Sequence, residues 1–242
     1  MKLLLLGGTS DAIQLCQQFL QQGYDVIYSI KGLVRQPQLS CEVHSGGFGG
    51  VKGLTHYLQQ KSIHYLLDAT HPYASNISRN ARLAAQQSNI PCFHYVRPPW
   101  KKHPDDLWVD YQSNQQLISL LSSDDYNVSR PFFTIGQLSA EFLSAKNTQH
   151  DYTIRTAIAK TQVLDNVKWI KSIGPFSLEN ERQIFKDYAV DALVSKNSGG
   201  LSVAPKIQVA RENKLPVFLL KRPELATCYP IFNHPTDLLR HL

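Results

Sequence analysis

The run Asp68-Ala69-Thr70-His71-Pro72-Tyr73-Ala74 packs a carboxylate, a hydroxyl, an imidazole and a phenol into little more than one turn of chain. Such a set can orient a polar ligand and move a proton near neutral pH, histidine with little tuning and tyrosine only with a depressed pKa. Loops ordinarily spend their positions on Gly, Asn and Ser, so this density of titratable groups points to chemistry or ligand contact. The apolar stretch Ile63 to Leu67 leads into the run and reads as a buried strand. In an open parallel sheet the carboxyl end of a strand is where ligands sit.

A second junction of this kind opens the chain, where Leu3 to Leu6 run into Gly7-Gly8-Thr9-Ser10-Asp11-Ala12. Glycines between a strand and a helix let backbone N–H groups approach a pyrophosphate, and the helix N-terminus adds partial positive charge. The spacing departs from Gly-x-Gly-x-x-Gly, so the segment reads equally as a nucleotide loop and as a plain strand–helix turn; the hydroxyls of Thr9 and Ser10 add donors. The end of the second strand discriminates further. Folds that hold NAD place an acid there for the ribose hydroxyls, whereas this chain has Tyr28-Ser29-Ile30-Lys31-Gly32 with Arg35 beyond. Hydroxyl and cations in place of the acid favour the extra phosphate of NADP; the alternative is that Lys31 and Arg35 are solvated loop charges. Gly46-Gly47-Phe48-Gly49-Gly50 is either a loop that lets a ligand come close or a flexible crossover.

In the second half, Ser195-Lys196-Asn197-Ser198-Gly199-Gly200 is a polar, glycine-ended loop suited to an anionic group, and Gly174-Pro175-Phe176-Ser177 turns into a helix carrying Glu179, Glu181 and Arg182. The rest of a Walker A sequence is missing, which excludes ATP hydrolysis as the reading. No Gly-x-Ser-x-Gly elbow occurs, and the acids show no spacing for a metal or a glycosidase pair.

Strand and helix patterns must position these groups. Strands are expected at Lys2–Leu6, Val26–Ile30, Cys41–His44, Ile63–Ala69 and Cys92–Tyr95, with helices at Ser10–Gln22, Gly53–Lys61 and Asn76–Ser88 between them. Arg97 to Asp125, with Pro98, Pro99 and Pro104, reads as a surface excursion followed by one helix. Strands then resume at Pro131–Ile135, Tyr152–Ile154, Val167–Ile170, Ala192–Val194 and Val217–Leu220. The alternation predicts an α/β fold of two Rossmann-like lobes with mainly parallel sheets and a cleft between them. Residues 1–127 form the nucleotide-binding lobe and residues 128–242 a second lobe completing the cleft.

The chain has 242 residues, 43% of them hydrophobic, and a net charge of +6 that falls mostly in residues 128–242. That excess suits an anionic small molecule; cations interleaved with aromatics, as nucleic acid would require, are not seen. No apolar run approaches the ~20 residues of a membrane span, and Leu3 to Leu6 are too few for a signal-peptide core. Cys16, Cys41, Cys92 and Cys228 are scattered without Cys-x-x-Cys spacing, so reduced thiols in a cytoplasmic protein are expected, with neither zinc nor an iron–sulfur cluster.

Taken in order, Leu6-Gly7-Gly8-Thr9, Ser29 with Gly32, Gly46–Gly49, Asp68-Ala69-Thr70-His71-Pro72-Tyr73-Ala74, Arg97 with Trp100, Thr134-Ile135-Gly136, Gly174-Pro175-Phe176-Ser177 and Lys196-Asn197-Ser198-Gly199-Gly200 resemble the precorrin-6A and cobalt-precorrin-6A reductases of cobalamin biosynthesis. The resemblance spans nearly the whole chain. Two departures stand out: Asp11 where that family commonly has Glu, and His44-Ser45 ahead of the glycine-rich loop. The resemblance implies reduction of one double bond in a polycarboxylate tetrapyrrole, with NADPH as the cofactor and NADH as the alternative. It implies Gly7, Gly8, Thr9 and Ser10 at the pyrophosphate, Ser29, Lys31 and Arg35 near the adenosine phosphate, and Thr70, Lys196, Asn197 and Ser198 also on the cofactor. His71 and Tyr73 become the catalytic candidates for proton donation, with bound solvent as the other source. Asp68, Arg97, Gly47 and Gly49 fall on the substrate side, Asp68 orienting neighbours or capping the next helix rather than transferring a proton. The rival readings are an NADP-dependent reductase of another small molecule and a non-catalytic NADP-binding redox sensor. A monomer or weak homo-oligomer, with neither nucleic acid nor membrane as partner, completes the expectation.

Overall fold

Period-two burial accounts for the first strand. In the computed structural model Leu3 and Leu5 pack into one apolar cluster with Ala12, Leu15, Cys16 and Phe19, while Leu4 and Leu6 pack into another with Leu54, Leu58, Ala81 and Ala85. Four successive leucines therefore mark a strand covered by helices on both faces, as parallel sheets require. The structure describes residues 1–32, 37–136, 138–145, 149–159, 164–224 and 230–241.

The chain divides into two units, Met1–Pro98 joined by Pro223–Leu242, and Pro99–Arg222. The first holds β1 (Lys2–Leu6), α1 (Ser10–Gln21), β2 (Asp25–Ile30), β3 (Glu42–Ser45), α2 (Gly50–Gln60), β4 (Tyr65–Asp68), α3 (Ser75–Ser88) and β5 (Cys92–Tyr95). The second holds β6 (Leu107–Tyr111), α4 (Asn114–Leu121), β7 (Pro131–Phe133), α5 (Ala140–Ala145), β8 (Tyr152–Thr156), β9 (Val167–Lys171), α6 (Leu178–Asp187), β10 (Ala192–Lys196), α7 (Pro205–Glu212) and β11 (Pro216–Leu220). The chain then returns to the first unit as β12 (Ile231–Phe232) and α8 (Pro235–His241).

Both sheets have six strands, ordered β12-β5-β4-β1-β2-β3 and β6-β11-β10-β7-β8-β9, and every pairing is parallel. Counted from β1 in one sheet and from β7 in the other, the order 3-2-1-4-5 appears twice, with a further strand beside the fifth, β12 in the first sheet and β6 in the second. The order reverses between β1 and β4 in one sheet and between β7 and β10 in the other, the position where such folds open a crevice.

The expected boundary at residue 127 falls inside the second unit. Leu107–Tyr111, read as part of a surface excursion, pairs along its length with Pro216–Leu220 and so completes the second sheet. At the other end, Ile231 and Phe232 pair with His94 and Tyr95, so the C-terminal segment belongs to the first unit. Both corrections have one cause: a strand is assigned to its sheet by partners more than a hundred residues away, which local composition does not encode. Helix α2 also starts earlier than expected, at Gly50, because Gly49 takes the left-handed conformation (φ +75°) as its N-cap.

Candidate active site

The site is built where β1 and β4 lie side by side. Helix α1 covers the face of Leu3 and Leu5, and α3 covers the face of Leu4 and Leu6, so the loops after β1 and β4 part to opposite sides of the sheet. Thr9 ties them together. Its hydroxyl caps α1 by accepting from the Ala12 N–H (3.1 Å) and donates to the Ala69 carbonyl (3.2 Å). A small concavity between the loops is lined by Thr9, Asp11, Thr70, Pro72, Tyr95 and Arg97.

The two glycines of the first loop have different tasks. A Cβ at Gly7 would overlap the ring of Tyr28, which is fully buried beneath the loop. The Gly7 N–H donates to the Ser29 carbonyl (2.8 Å) and the Gly8 N–H to the Tyr28 hydroxyl (2.9 Å). Gly8 has φ +103° and open space where a side chain would stand, which leaves room over the loop although its N–H is taken by Tyr28. Ser29 is buried at the end of β2, and Lys31 is exposed just beyond it; Arg35 lies outside the described residues. Gly46 (φ +129°), Gly47 and Gly49 follow β3 at the same edge, again with open space at each. Phe48 anchors this loop by stacking on His44, with ring centroids 4.6 Å apart. A packing partner for Phe48 is thus the use of the histidine that departs from the family pattern.

The loop after β4 is held from below. Asp68 is 1% exposed, and its Oδ1 accepts from both the Thr70 N–H (3.0 Å) and the Thr70 hydroxyl (2.6 Å). His94, its neighbour on β5, brings Nε2 to 3.3 Å from Oδ2 without hydrogen-bond alignment. Burial lowers the His94 pKa against the opposing pull of Asp68, so the imidazole is neutral. Asp68, expected on the substrate side, therefore points into the protein rather than outward. His71 and Tyr73 are half-buried with ring centroids 5.6 Å apart, and the Tyr73 N–H donates to His71 Nδ1 (3.3 Å). In the neutral ring this leaves the proton on Nε2. Arg97 pairs with Asp11 in the first turn of α1 (3.1 Å) at the rim of the concavity.

Lys196, Asn197 and Ser198 lie in the second unit, at the corresponding reversal between β7 and β10. The Asn197 side chain is committed to the backbone of Trp100, accepting from its N–H (2.8 Å) and donating to its carbonyl (3.4 Å). The Asn197 carbonyl accepts from Arg222 Nε (2.8 Å), so one residue pins both ends of the unit. Burial lowers the pKa of Lys196. Beneath these loops Arg155 and Glu181 form a buried ion pair (2.5 Å), with Phe176 3.8 Å above the guanidinium. The Phe176 N–H donates to the Ser202 carbonyl (3.0 Å), joining the turn of Gly174 to the segment that follows Gly199 and Gly200.

Tyr28, His94, Tyr95, Arg155 and Lys206 were not singled out by the sequence. Each sits in or beside an apolar run and reads there as core; only strand register puts His94 opposite Asp68 and Tyr28 beneath Gly7.

The fold is a doubly wound α/β sheet made twice, with hydroxyl, imidazole and guanidinium groups gathered at the reversal point of the first sheet, which places the protein among the α/β proteins that bind ligands at such a point. The family model described as precorrin-6x reductase CbiJ/CobK matches residues 2–242. The chain belongs to that family. It is 32% identical to the precorrin-6A reductase of Sinorhizobium sp over 96% of this chain and 91% of that protein. To the precorrin-6A reductase of Rhodobacter capsulatus it is 30% identical over 92% and 88%, and to the cobalt-precorrin-6A reductase of Priestia megaterium 26% identical over 98% and 97%. The solved structure of CobK precorrin-6A reductase superposes with a TM-score of 0.88 at 28% identity, covering all of this chain and 95% of the other. The protein is thus a reductase of the tetrapyrrole macrocycle in cobalamin biosynthesis. Among the described residues no helix is long and apolar enough to cross a membrane.

Proposed function

We propose that the protein reduces one carbon–carbon double bond of precorrin-6A with NADPH, and that the loops joined by Thr9 and Ala69 are where cofactor and macrocycle meet. The observation that carries this reading is that joint: a glycine turn at a helix N-terminus bonded to a loop rich in titratable groups, at the reversal point of a parallel sheet. The residues present fit a nicotinamide dinucleotide. Gly8, Gly47 and Gly49 offer backbone with open space above it, and Lys31 stands exposed where an NAD-binding fold would have an acid. When bound, the dihydronicotinamide supplies the hydride for one carbon of the double bond.

The chain's own part is to orient, to exclude water and to deliver a proton to the neighbouring carbon. His71 is the first candidate for the last task, as an imidazolium that would release its proton from Nε2 and return to the neutral ring whose Nδ1 the Tyr73 N–H engages. Tyr73 is the second donor candidate. Arg97 would meet a substrate carboxylate by exchanging it for Asp11, and the basic second half of the chain suits a polycarboxylate. The metal-free macrocycle is the favoured substrate, because the precorrin-6A reductases match at 30–32% identity and the cobalt-precorrin-6A reductase of Priestia megaterium at 26%. The protein would work in the cytoplasm, as a monomer or weak homo-oligomer.

An anaerobic assay with precorrin-6A or its cobalt form, and NADPH or NADH, tests this reading. Oxidation of NADPH coupled to the spectral change of the metal-free macrocycle is expected. Cofactor binding with no turnover of either macrocycle would instead favour the redox sensor or a reductase of another small molecule. His71→Ala should lower turnover at least tenfold with unchanged NADPH affinity. Near-normal turnover in both His71→Ala and Tyr73→Phe would assign the proton to solvent.

A further inference from the structure

Thr70 lines the concavity of the first unit, where a threonine is usually read as a donor to phosphate. Its geometry says otherwise. A threonine has two hydrogens to donate, one on the backbone nitrogen and one on the hydroxyl. Both go to a single oxygen, Oδ1 of Asp68, at 3.0 and 2.6 Å. What the hydroxyl has left for a ligand is lone pairs. A phosphate oxygen also offers only lone pairs, so the two would repel; a ligand N–H or O–H would bond.

The arrangement is not free to turn over. Asp68 is buried, its Oδ2 is backed by His94 Nε2 at 3.3 Å, and strand pairing sets Asp68 directly beside His94. Rotating the Thr70 hydroxyl toward a phosphate would remove a short hydrogen bond from a carboxylate oxygen out of reach of water, a larger loss than the new bond repays. Meanwhile the features suited to phosphate lie on the other loop, at the open approach over Gly8 and the first turn of α1.

We propose that Asp68 is a positioning residue that holds the Thr70 hydroxyl as a hydrogen-bond acceptor toward the nicotinamide half of the cofactor, with His94 packed behind the carboxylate. The group received is a carboxamide N–H or the hydroxyl of the adjoining ribose. This rests on the nicotinamide-dependent reading above and assigns Thr70 a role within it. It also removes Asp68 from direct contact with the substrate.

The test is calorimetric binding of three probes, NADP+, its 3-acetylpyridine analogue and 2′,5′-ADP, to the unaltered protein and to Thr70→Val, Thr70→Ser, Asp68→Ala and the double variant D68A/T70V. Thermal melting of each variant reports its folding. Loss of one hydrogen bond predicts that Thr70→Val weakens NADP+ by about three- to tenfold and that Thr70→Ser restores it. Asp68→Ala should lose a similar factor, and adding Thr70→Val to it should cost nothing further, since the two act as one unit. Binding of 2′,5′-ADP, which has no nicotinamide half, should be the same in Thr70→Val as in the unaltered protein. If the acetylpyridine analogue, which has no carboxamide N–H, binds Thr70→Val and the unaltered protein alike, the group received is the carboxamide. If it weakens as NADP+ does, the group is the ribose hydroxyl. NADP+ binding unchanged in Thr70→Val, failure of serine to restore it, or equal weakening of 2′,5′-ADP would each overturn the proposal. Should Asp68→Ala not fold, the valine and serine variants decide alone. An unaltered protein that binds neither NADP+ nor, titrated as a control, NAD+ would overturn the nicotinamide reading itself, a result distinct from any of these.

Discussion

At Gly7 a single methyl group decides whether the first loop keeps its shape, because the Tyr28 ring fills the space a side chain would need. Gly7→Ala should therefore destabilise the protein by about 1–3 kcal/mol through overpacking and weaken NADP+ binding, both measurable by denaturant titration and calorimetry. Lys206, in the first turn of α7, carries a different kind of strain. Burial and the nearby Arg155 push its pKa down to about 7, with Glu181 opposing them only in part. Between about pH 7 and the ordinary lysine value of 10.5 the unfolded chain holds a proton the folded chain has released, so stability from this group rises with pH across that window. At pH 6 both states are protonated and the folded one bears the full cost. Lys206→Met should raise the melting temperature at pH 6 by several degrees and have little effect near pH 10. An equal gain at both pH values would show that side-chain packing, not the buried charge, is responsible.

Helix starts and strand ends do the positioning at the next scale. Thr9 caps α1 and holds the two loops of the site together, which is why a plain strand–helix turn and a ligand loop looked alike in sequence. In the second unit, Arg155 near the end of β8 and Glu181 in the first turn of α6 make a buried pair, covered by Phe176 from the turn before α6. Removing one partner strands the other charge away from water. Glu181→Ala should thus cost about 3–5 kcal/mol in denaturant unfolding, and replacing both by apolar residues, R155M/E181L, should recover much of that loss. A double variant no more stable than the single would refute the account. The glycine and aromatic motifs of this unit were legible as turns. Their shared task of covering an ion pair was not, because Arg155, Phe176 and Glu181 meet only through sheet order.

For the whole chain, the crossing points matter more than the length of the halves. Residues 99–222 contain all six strands of the second sheet together with α4, whose Leu117 and Leu121 are buried in the core. Expressed alone, this segment should give a single cooperative melt. A segment of residues 128–242, the lobe expected from composition, lacks β6 and α4 and should not. Likewise, residues 1–98 without the C-terminal return lose β12 and α8, leaving unfilled the core position of the buried Leu238. Restoring residues 223–242 should recover a cooperative transition.

Sequence alone determined the local features: four leucines buried on both faces, glycines where backbone must turn, and the polar run from Asp68 to Tyr73 at a strand end. These follow from side-chain periodicity and backbone freedom, which act over a few residues, and they sufficed for the fold class; the kind of reaction came from the resemblance of the ordered motifs to a known family. Tertiary structure decided which strand joined which sheet, that His94 stands behind Asp68 and Tyr28 beneath Gly7, and that Asn197 holds Trp100. Those are outcomes of pairing register between distant segments, where hydrogen-bond geometry and burial select the partner and the one-dimensional pattern leaves no mark.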